Sequence, residues 1–382
     1  KHEIENHNNI EEMRKKSNTE FMNMKRNLII TIVTVFLTLF GVVMVASSSS
    51  VWAAYKFNNP NKYMMHQLIF ASIGFALMYI CSKTDYRLYK HHANKILICS
   101  FILLILVLIP GIGIVRNGSR SWFGIGPFGI QPSEIAKLAM IIFVSKYLSK
   151  FDSYMDNIKE YSIPILLLVV VCFLLILLEP DFGSGAILVL SLIALIFTSK
   201  IKISFFVKLG FLGVFGVVML IIAAPYRVAR ILAYLNPWSD PLGSGFQIIQ
   251  SLYAIGPGGL FGLGLGNSIQ KHFYLPEPQT DFIFAIISEE LGFVGILIIT
   301  ACYIALFYNV VKISLETKDL FGKYLAFGLI LELILQTLLN LLVVVGLIPV
   351  TGVTLPFLSY GGSSLLTCLI MIGIILNISK SK

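Results

Sequence analysis

Charge is scarce in this chain. Asp, Glu, Lys and Arg make up only 13% of its 382 residues, while 57% are hydrophobic and mean hydropathy is +0.84. An ordinary soluble domain carries about 25% charged residues, so a soluble globular fold is excluded. Paired cysteines are also missing. Cys81, Cys99, Cys172, Cys302 and Cys368 are scattered in or beside apolar runs, which excludes a disulfide framework and a cysteine-based metal site and leaves buried small apolar side chains. The six histidines form no HExxH-type spacing, and His91 and His92 sit in a basic loop. The sequence therefore shows no dedicated metal-ligand cluster.

Long apolar runs are what the chain has instead. Runs near the 17–25 residues that a bilayer demands number ten, at 28–46, 66–82, 96–115, 134–149, 162–178, 185–199, 203–224, 282–310, 324–345 and 363–379; the fourth and sixth are short. The expected fold class is an all-α polytopic membrane protein, a bundle of ten transmembrane helices. The first run follows Lys25 and Arg26 and reads as an uncleaved anchor rather than a signal peptide. An even number of spans puts both termini on one side. With the N-terminus inside, the inner segments carry 20 Lys and Arg and the outer loops 7. The positive-inside rule then places both termini in the cytoplasm and the protein in the cytoplasmic membrane. The net charge of +9 follows from that asymmetry, and no nucleic-acid partner is implied. Residues 1–27 are polar without a sustained apolar face and predict a disordered cytoplasmic tail; 28–379 form the membrane domain and 380–382 a cytoplasmic end.

One polar segment is too long to be a turn. Residues 225–281, rich in Gly and Pro, separate helices 7 and 8 as a large extracytoplasmic loop, and long loops in compact folds are usually functional. Outward cations need a separate explanation, since most positive charge lies inside. Arg116 and Arg120 flank NGS, and Arg227 and Arg230 open the long loop. Guanidinium binds phosphate in bidentate fashion, so these arginines fit a phosphate-bearing ligand; anchoring to lipid headgroups is the alternative. The outward carboxylates are Glu134, Glu179, Asp181, Asp240, Glu277 and Asp281. Asp281 begins a helix at the water–lipid boundary, where burial raises a carboxyl pKa and makes a base; a plain helix cap is the other reading. Within the membrane, Glu134 and Lys137 lie one turn apart and are expected to pair with Glu289 or Glu290 across the bundle, as an ion pair or a substrate contact. Glu332 is open to the same two readings. The last outer loop, GLIPVTGVTLPFLSYGGSS, is broken by Pro349 and Pro356. Such backbone at membrane depth survives only against protein or a wet cavity, which predicts a re-entrant or cavity-lining loop.

Four blocks together resemble the SEDS family (shape, elongation, division and sporulation): NGSRSWFGIGPFGIQPSE at 117–134, EPDFGS at 179–184, YLPEPQTDFIFAIISEELG at 274–292, and the ordered set Asn340, Gly346, Pro349, Gly352, Pro356, Ser359, Gly361, Gly362, Ser363 and Ser364. The resemblance covers residues 28–379, and NPWSDPLGSGFQIIQSLYAIGPGGLFGLGLG is closer to FtsW and SpoVE than to RodA. It implies ten spans and a peptidoglycan glycosyltransferase that polymerises lipid II, an undecaprenyl-diphosphate-linked disaccharide-peptide, outside the cytoplasmic membrane during division or spore cortex synthesis. A class B penicillin-binding protein and divisome or sporulation proteins are the implied partners. The family's essential aspartate maps onto Asp281 as the base. Arg116, Arg120 and Lys271 become candidates for the diphosphates, Glu134 and Lys137 for the central cavity, and Ser359, Gly361 and Gly362 for the substrate-facing loop. A divalent cation, Mg or Mn, at the diphosphate is compatible with this chemistry. A lipid II flippase and a non-catalytic scaffold for the penicillin-binding protein are the competing functions. Small residues on the eighth and ninth spans, among them Gly295 and Gly328, are the expected docking surface for the partner.

Overall fold

The computed structural model describes residues 2–116, 118–125, 128–223, 225–243 and 245–380, with side chains from residue 21 onward except at 125, 128, 226 and 227. Helices α1 (His2–Phe57), α2 (Lys62–Lys83) and α3 (Arg87–Leu108) lead into a small antiparallel sheet of β1 (Ile114–Arg116), β2 (Ser119–Ile125) and β3 (Phe128–Ile130). Then come α4 (Pro132–Phe151), α5 (Ile163–Leu178), α6 (Phe182–Phe197), α7 (Ile203–Ile222), α8 (Pro225–Leu235), α9 (Phe246–Ile255), α10 (Ile283–Glu316), α11 (Leu320–Val344) and α12 (Gly362–Lys380).

Each of the ten expected runs falls on a helix, and the protein is a multi-pass, predominantly α-helical membrane protein. Among the described residues, eight helices are long and apolar enough to cross a bilayer. The two that fall short are those of the runs read as short. At 16 residues, α6 reaches only about 24 Å against a hydrocarbon core of about 30 Å, and α4 carries Glu134, Lys137, Lys146 and Lys150.

Three expectations need correction. The third span, placed at 96–115, ends as helix at Leu108, because Pro110 and the left-handed Gly111 (φ 92°) stop it, and residues 114–116 join the sheet. The loop 225–281 is not structureless: α8 and α9 lie within it. Val228, Ile231, Leu232 and Leu235 recur at helical spacing on α8, a pattern short enough to be hidden between Gly and Pro. The tail 1–27, expected to be disordered, is helical where it meets the membrane domain: residues 21–27 continue α1, and Arg26 pairs with Glu316 at 2.6 Å. The side chains of residues 2–20, and residues 381 and 382, lie outside the described set.

Small residues decide how closely the helices approach. At Gly373 a Cβ would fall 2.5 Å from the backbone oxygen of Met78, and at Gly74 one would fall 2.3 Å from Leu369, so α2 and α12 pack backbone to backbone. Gly328 serves the same end inside the bundle: its face meets Ile141 of α4 and Leu195 of α6. It is therefore not available to a partner, and the exposed strip of α10 runs instead through Phe293, Leu297 and Ile304. Asp181 caps α6 by accepting from Ser184 N at 3.1 Å, and Asp319 caps α11 by accepting from Gly322 N at 2.9 Å.

α10 is bent at Gly292, whose φ of 63° and ψ of −160° leave the helix. Gly259–Gly264 threads the opening. Phe293 N donates to Gly259 O and Val294 N to Leu260 O, while Leu263 N and Gly264 N donate to the carbonyls of Glu289 and Glu290. A Cβ at Gly292 would lie 2.4 Å from Gly262 N, so only glycine fits there. The long loop is thereby fastened to the helix that Asp281 precedes.

Candidate active site

The blocks singled out in the sequence meet at one end of the bundle, opposite the end where Arg26 meets Glu316. Asp281 lies just before α10, and the loop 345–361 wraps around it. Asn340 Nδ2 donates to Asp281 O and to Val353 O, both at 2.7 Å. Ser359 Oγ donates to Thr280 O at 2.6 Å while accepting from Leu355 N at 2.7 Å, and Tyr360 N donates to Gln279 O at 2.8 Å. Gly352 has φ 75°, and a Cβ there would lie 3.8 Å from Asp281 Oδ2, so this glycine brings backbone alongside the carboxylate. Gly352 thus packs against the carboxylate, whereas Ser359 holds the main chain. A Cβ at Gly361 would lie 3.4 Å from Thr354, and one at Gly362 would fall within 2.7 Å of the Phe70 ring, so both glycines let the loop pack closely.

The Asp281 carboxyl is pushed up to about 7, first by burial, then by Glu277, with Arg230 pulling it down and Asp181 pushing it up. A carboxylate that takes a proton near neutral pH suits a general base. Glu179 is more deeply placed: it is fully buried, neither carboxyl oxygen has a hydrogen-bond partner among the described residues, and burial and Asp181 push it up to about 8. It is thus mostly neutral at pH 7 and adds little negative charge to the site.

The sheet joins the other blocks. Ser119 Oγ donates to Glu179 O. Gln131 Nε2 donates to Asp181 Oδ2 at 2.7 Å, and Gln131 N donates to Ser363 Oγ at 3.2 Å. Arg116 is exposed, lies over Trp122 at 5.1 Å, and its charge acts on the Tyr360 hydroxyl. Its charge is thereby felt at the loop whose Tyr360 N bonds Gln279 O. Arg120 turns the other way, to Leu108 O at 3.4 Å at the C-terminus of α3, where the helix dipole attracts a cation. Arg230, noted in the sequence only as one of two arginines opening the long loop, is drawn in: its Nη1 donates to Val350 O at 3.1 Å and its charge reaches Asp281. The side chain of Arg227 lies outside the described residues.

Two expected substrate contacts are occupied by the protein itself. Lys271 is buried, and its ammonium bonds Glu290 Oε1 at 3.3 Å and Gly266 O; Glu290 also accepts from Ser47 at 2.6 Å. Lys137 does not pair with Glu289 or Glu290. It reaches Glu134 and Glu332, each at 3.0 Å, and Gln336 Oε1 at 3.3 Å. Its three donors are satisfied, and the buried triad ties α4 to α11 below the Asp281 loop. Gln336 relays the contact upward by donating to Thr354 O at 3.0 Å and Ser364 Oγ at 3.2 Å. Glu289 is a backbone clasp that accepts from Ser268 Oγ at 2.5 Å and Ile269 N at 2.9 Å. Sequence spacing could not assign these partners, because all four carboxylates lie in apolar surroundings. Among the described residues, no group of three or more His, Cys, Asp or Glu side chains is placed to hold a metal ion.

Comparison with known proteins agrees with this assembly. The chain is 51% identical over 354 residues to stage V sporulation protein E of Bacillus subtilis (strain 168), covering 93% of this chain and 97% of the relative. It is 39% identical over 353 residues to a probable peptidoglycan glycosyltransferase FtsW of Geobacter sp. (strain M18), covering 92% and 96%. In three dimensions it matches a chain of a peptidoglycan synthase complex that coordinates polymerization and crosslinking, with TM-score 0.74 and 28% identity over 92% of this chain and 96% of that one. It also matches the rod shape determining protein RodA of Thermus thermophilus, with TM-score 0.66 and 25% identity over 92% and 95%. The FtsW/RodA/SpoVE family model, described as cell cycle protein, matches residues 27–382, and the chain belongs to that family.

Proposed function

We propose that this protein is a peptidoglycan glycosyltransferase that polymerises lipid II into glycan strands on the outer face of the cytoplasmic membrane, in cell division or spore cortex synthesis. The observation that carries the reading is Asp281: a carboxyl poised near pH 7, fixed by backbone contacts, with Arg230 acting on it and Arg116 acting on the adjoining Tyr360. The names of the FtsW relatives and the likeness to a peptidoglycan synthase complex support it.

In this mechanism the 4-hydroxyl of one GlcNAc attacks the anomeric carbon of another unit's MurNAc. The new glycosidic C–O bond forms as the bond to the diphosphate breaks, and undecaprenyl diphosphate leaves. Asp281 takes the hydroxyl proton as general base. Arg116 and Arg230 stabilise the charge that develops on the departing diphosphate. Arg120, Lys137 and Lys271, engaged elsewhere, hold the frame. A divalent cation accompanying the diphosphate would add to the charge stabilisation of the leaving group. The Lys-rich end lies in the cytoplasm with both termini, by the positive-inside rule. The working unit is a membrane complex with a single-span class B penicillin-binding protein.

Lys137 pairs with Glu134 and Glu332, each at 3.0 Å across α4 and α11, and charges engaged with one another favour the enzyme over a flippase, which needs polar groups free to meet the lipid's headgroup. The test is purified protein given fluorescent lipid II, with and without the penicillin-binding partner, and read for glycan chains on a gel. Long chains from the wild type and none from Asp281→Asn are expected. A well-folded Asp281→Asn protein that still makes chains would refute the assignment of the base.

A further inference from the structure

Beside Asp281, the outer ends of α1 and α2 carry aromatic side chains that the proposed reaction does not use. Phe273 packs edge-on against Tyr55, ring centroids 5.4 Å apart, and against Trp52 at 5.7 Å. The Trp52 indole lies near enough to act on the Tyr63 hydroxyl, and Tyr63 meets Tyr360 edge-on at 4.9 Å. Tyr360 N donates to Gln279 O, two residues before Asp281. Four separate segments thus set five rings in file, from solvent inward to the candidate base. Tyr55 is 76% exposed and Phe273 51%, whereas Trp52, Tyr63 and Tyr360 are half-buried. Two ammonium groups flank the file: Lys56 lies 5.6 Å from the Trp52 ring, and Lys62 lies 3.4 Å above Phe57, which packs against Tyr63.

Phe273 has φ 67°, a conformation in which a bulky residue is a rare outlier. Strain of this kind persists where the surroundings impose it and tends to collect at functional sites. Burial does not compensate it here, since half of the ring remains in solvent. An interfacial aromatic belt distributes Trp and Tyr around the bundle, as Trp122, Trp238 and Tyr253 do on other elements; the five rings differ in following one another in series toward one point.

We infer that this aromatic file is a product subsite that holds the nascent glycan strand next to Asp281 between successive additions. The inference rests on the polymerase reading above. A polysaccharide is a chain of pyranose rings, each with an apolar C–H face and a rim of hydroxyls. Aromatic faces take the C–H faces, and the phenol, indole and ammonium groups take hydroxyls and the carboxylates of the stem peptides. Stacking of this kind tolerates shifts in register, as it does where proteins track single-stranded nucleic acid. A strand held so can slide by one repeat after each addition without leaving the protein.

The experiment uses full-length protein in detergent with Tyr55→Ala, Phe273→Ala, Tyr55→Leu and Tyr55→Trp variants. Tyr55 is too exposed for its loss to unfold the bundle, and Tyr55→Leu keeps apolar bulk while removing the aromatic face. Calorimetric titration with soluble, lipid-free GlcNAc–MurNAc oligomers reads strand binding, and gels at equal lipid II consumption read chain length. The subsite predicts at least tenfold weaker binding and several-fold shorter chains for Tyr55→Ala, Phe273→Ala and Tyr55→Leu, with both properties restored in Tyr55→Trp. Chain lengths and affinities equal to wild type in those three variants, with the wild type polymerising normally, would overturn the subsite alone. A wild type that forms no glycan with or without its partner would overturn the polymerase reading and the subsite with it.

Discussion

Replacing Asp281 with asparagine should inactivate the protein and stabilise it at the same time, by an amount that depends on pH. The folded-state carboxyl stands at about 7 against an ordinary value of 3.8. Below pH 3.8 the carboxyl is protonated in both folded and unfolded chains, and its contribution to stability is fully present. That contribution falls as pH rises and is lost through pH 7, where the folded protein must ionise a group held by burial and by Glu277. A pKa unit corresponds to about 1.36 kcal/mol, so the wild type gives up about 4 kcal/mol at most across this window. The asparagine side chain cannot ionise. The variant should therefore match the wild type within about 1 kcal/mol near pH 4 and exceed it by a few kcal/mol at pH 8, allowing for the imperfect fit of an amide. Thermal unfolding of both proteins in detergent at pH 4, 6 and 8 reads the difference. Polymerisation by the wild type should share the transition: with a base of pKa near 7, the rate at pH 6 is about one-fifth of that at pH 7. A constant wild-type rate between pH 5 and 8, together with a stability difference independent of pH, would refute the placement of Asp281 as a buried, neutral-range base.

The neighbours of Asp281 make further predictions. Glu277→Gln removes the second strongest cause of the raised pKa, so the acid limb of the pH–rate profile should move to lower pH; movement upward contradicts the electrostatic account. Arg116→Ala and Arg230→Ala should each lower the turnover of lipid II at least tenfold, with Arg116→Lys intermediate because it keeps charge without the bidentate fork. Arg120→Ala should act mainly on melting temperature, and a kinetic loss as large as that of Arg116→Ala would show that its contact with Leu108 is not its main role. Lys137→Met strands Glu134 and Glu332 in the bundle and should cost about 3–5 kcal/mol, read as a lower melting temperature. The double variant with Glu332→Gln should recover part of that loss.

Local chemistry determined the membrane class, the positions of ten apolar runs and the blocks around residues 117–134, 179–184, 274–292 and 340–364. A bilayer imposes length and hydropathy on each segment separately, and such demands are legible in a linear string. The residues alone left Asp281 open between a base and a plain helix cap, where a polar loop enters an apolar run, and only the family resemblance singled it out. Tertiary structure alone decided which charges face each other. Lys137 and Lys271 look alike in sequence to free cations, yet Lys137 reaches Gln336, 199 residues away, as well as Glu134 and Glu332, and Lys271 is enclosed by Glu290 and Gly266. Arg116 and Arg120 are four residues apart, and only the fold lays one over Trp122 and sends the other to Leu108. A buried charge takes whichever opposite charge or carbonyl helix packing brings within about 3–4 Å, and that distance is set by the crossing of helices far apart in the chain.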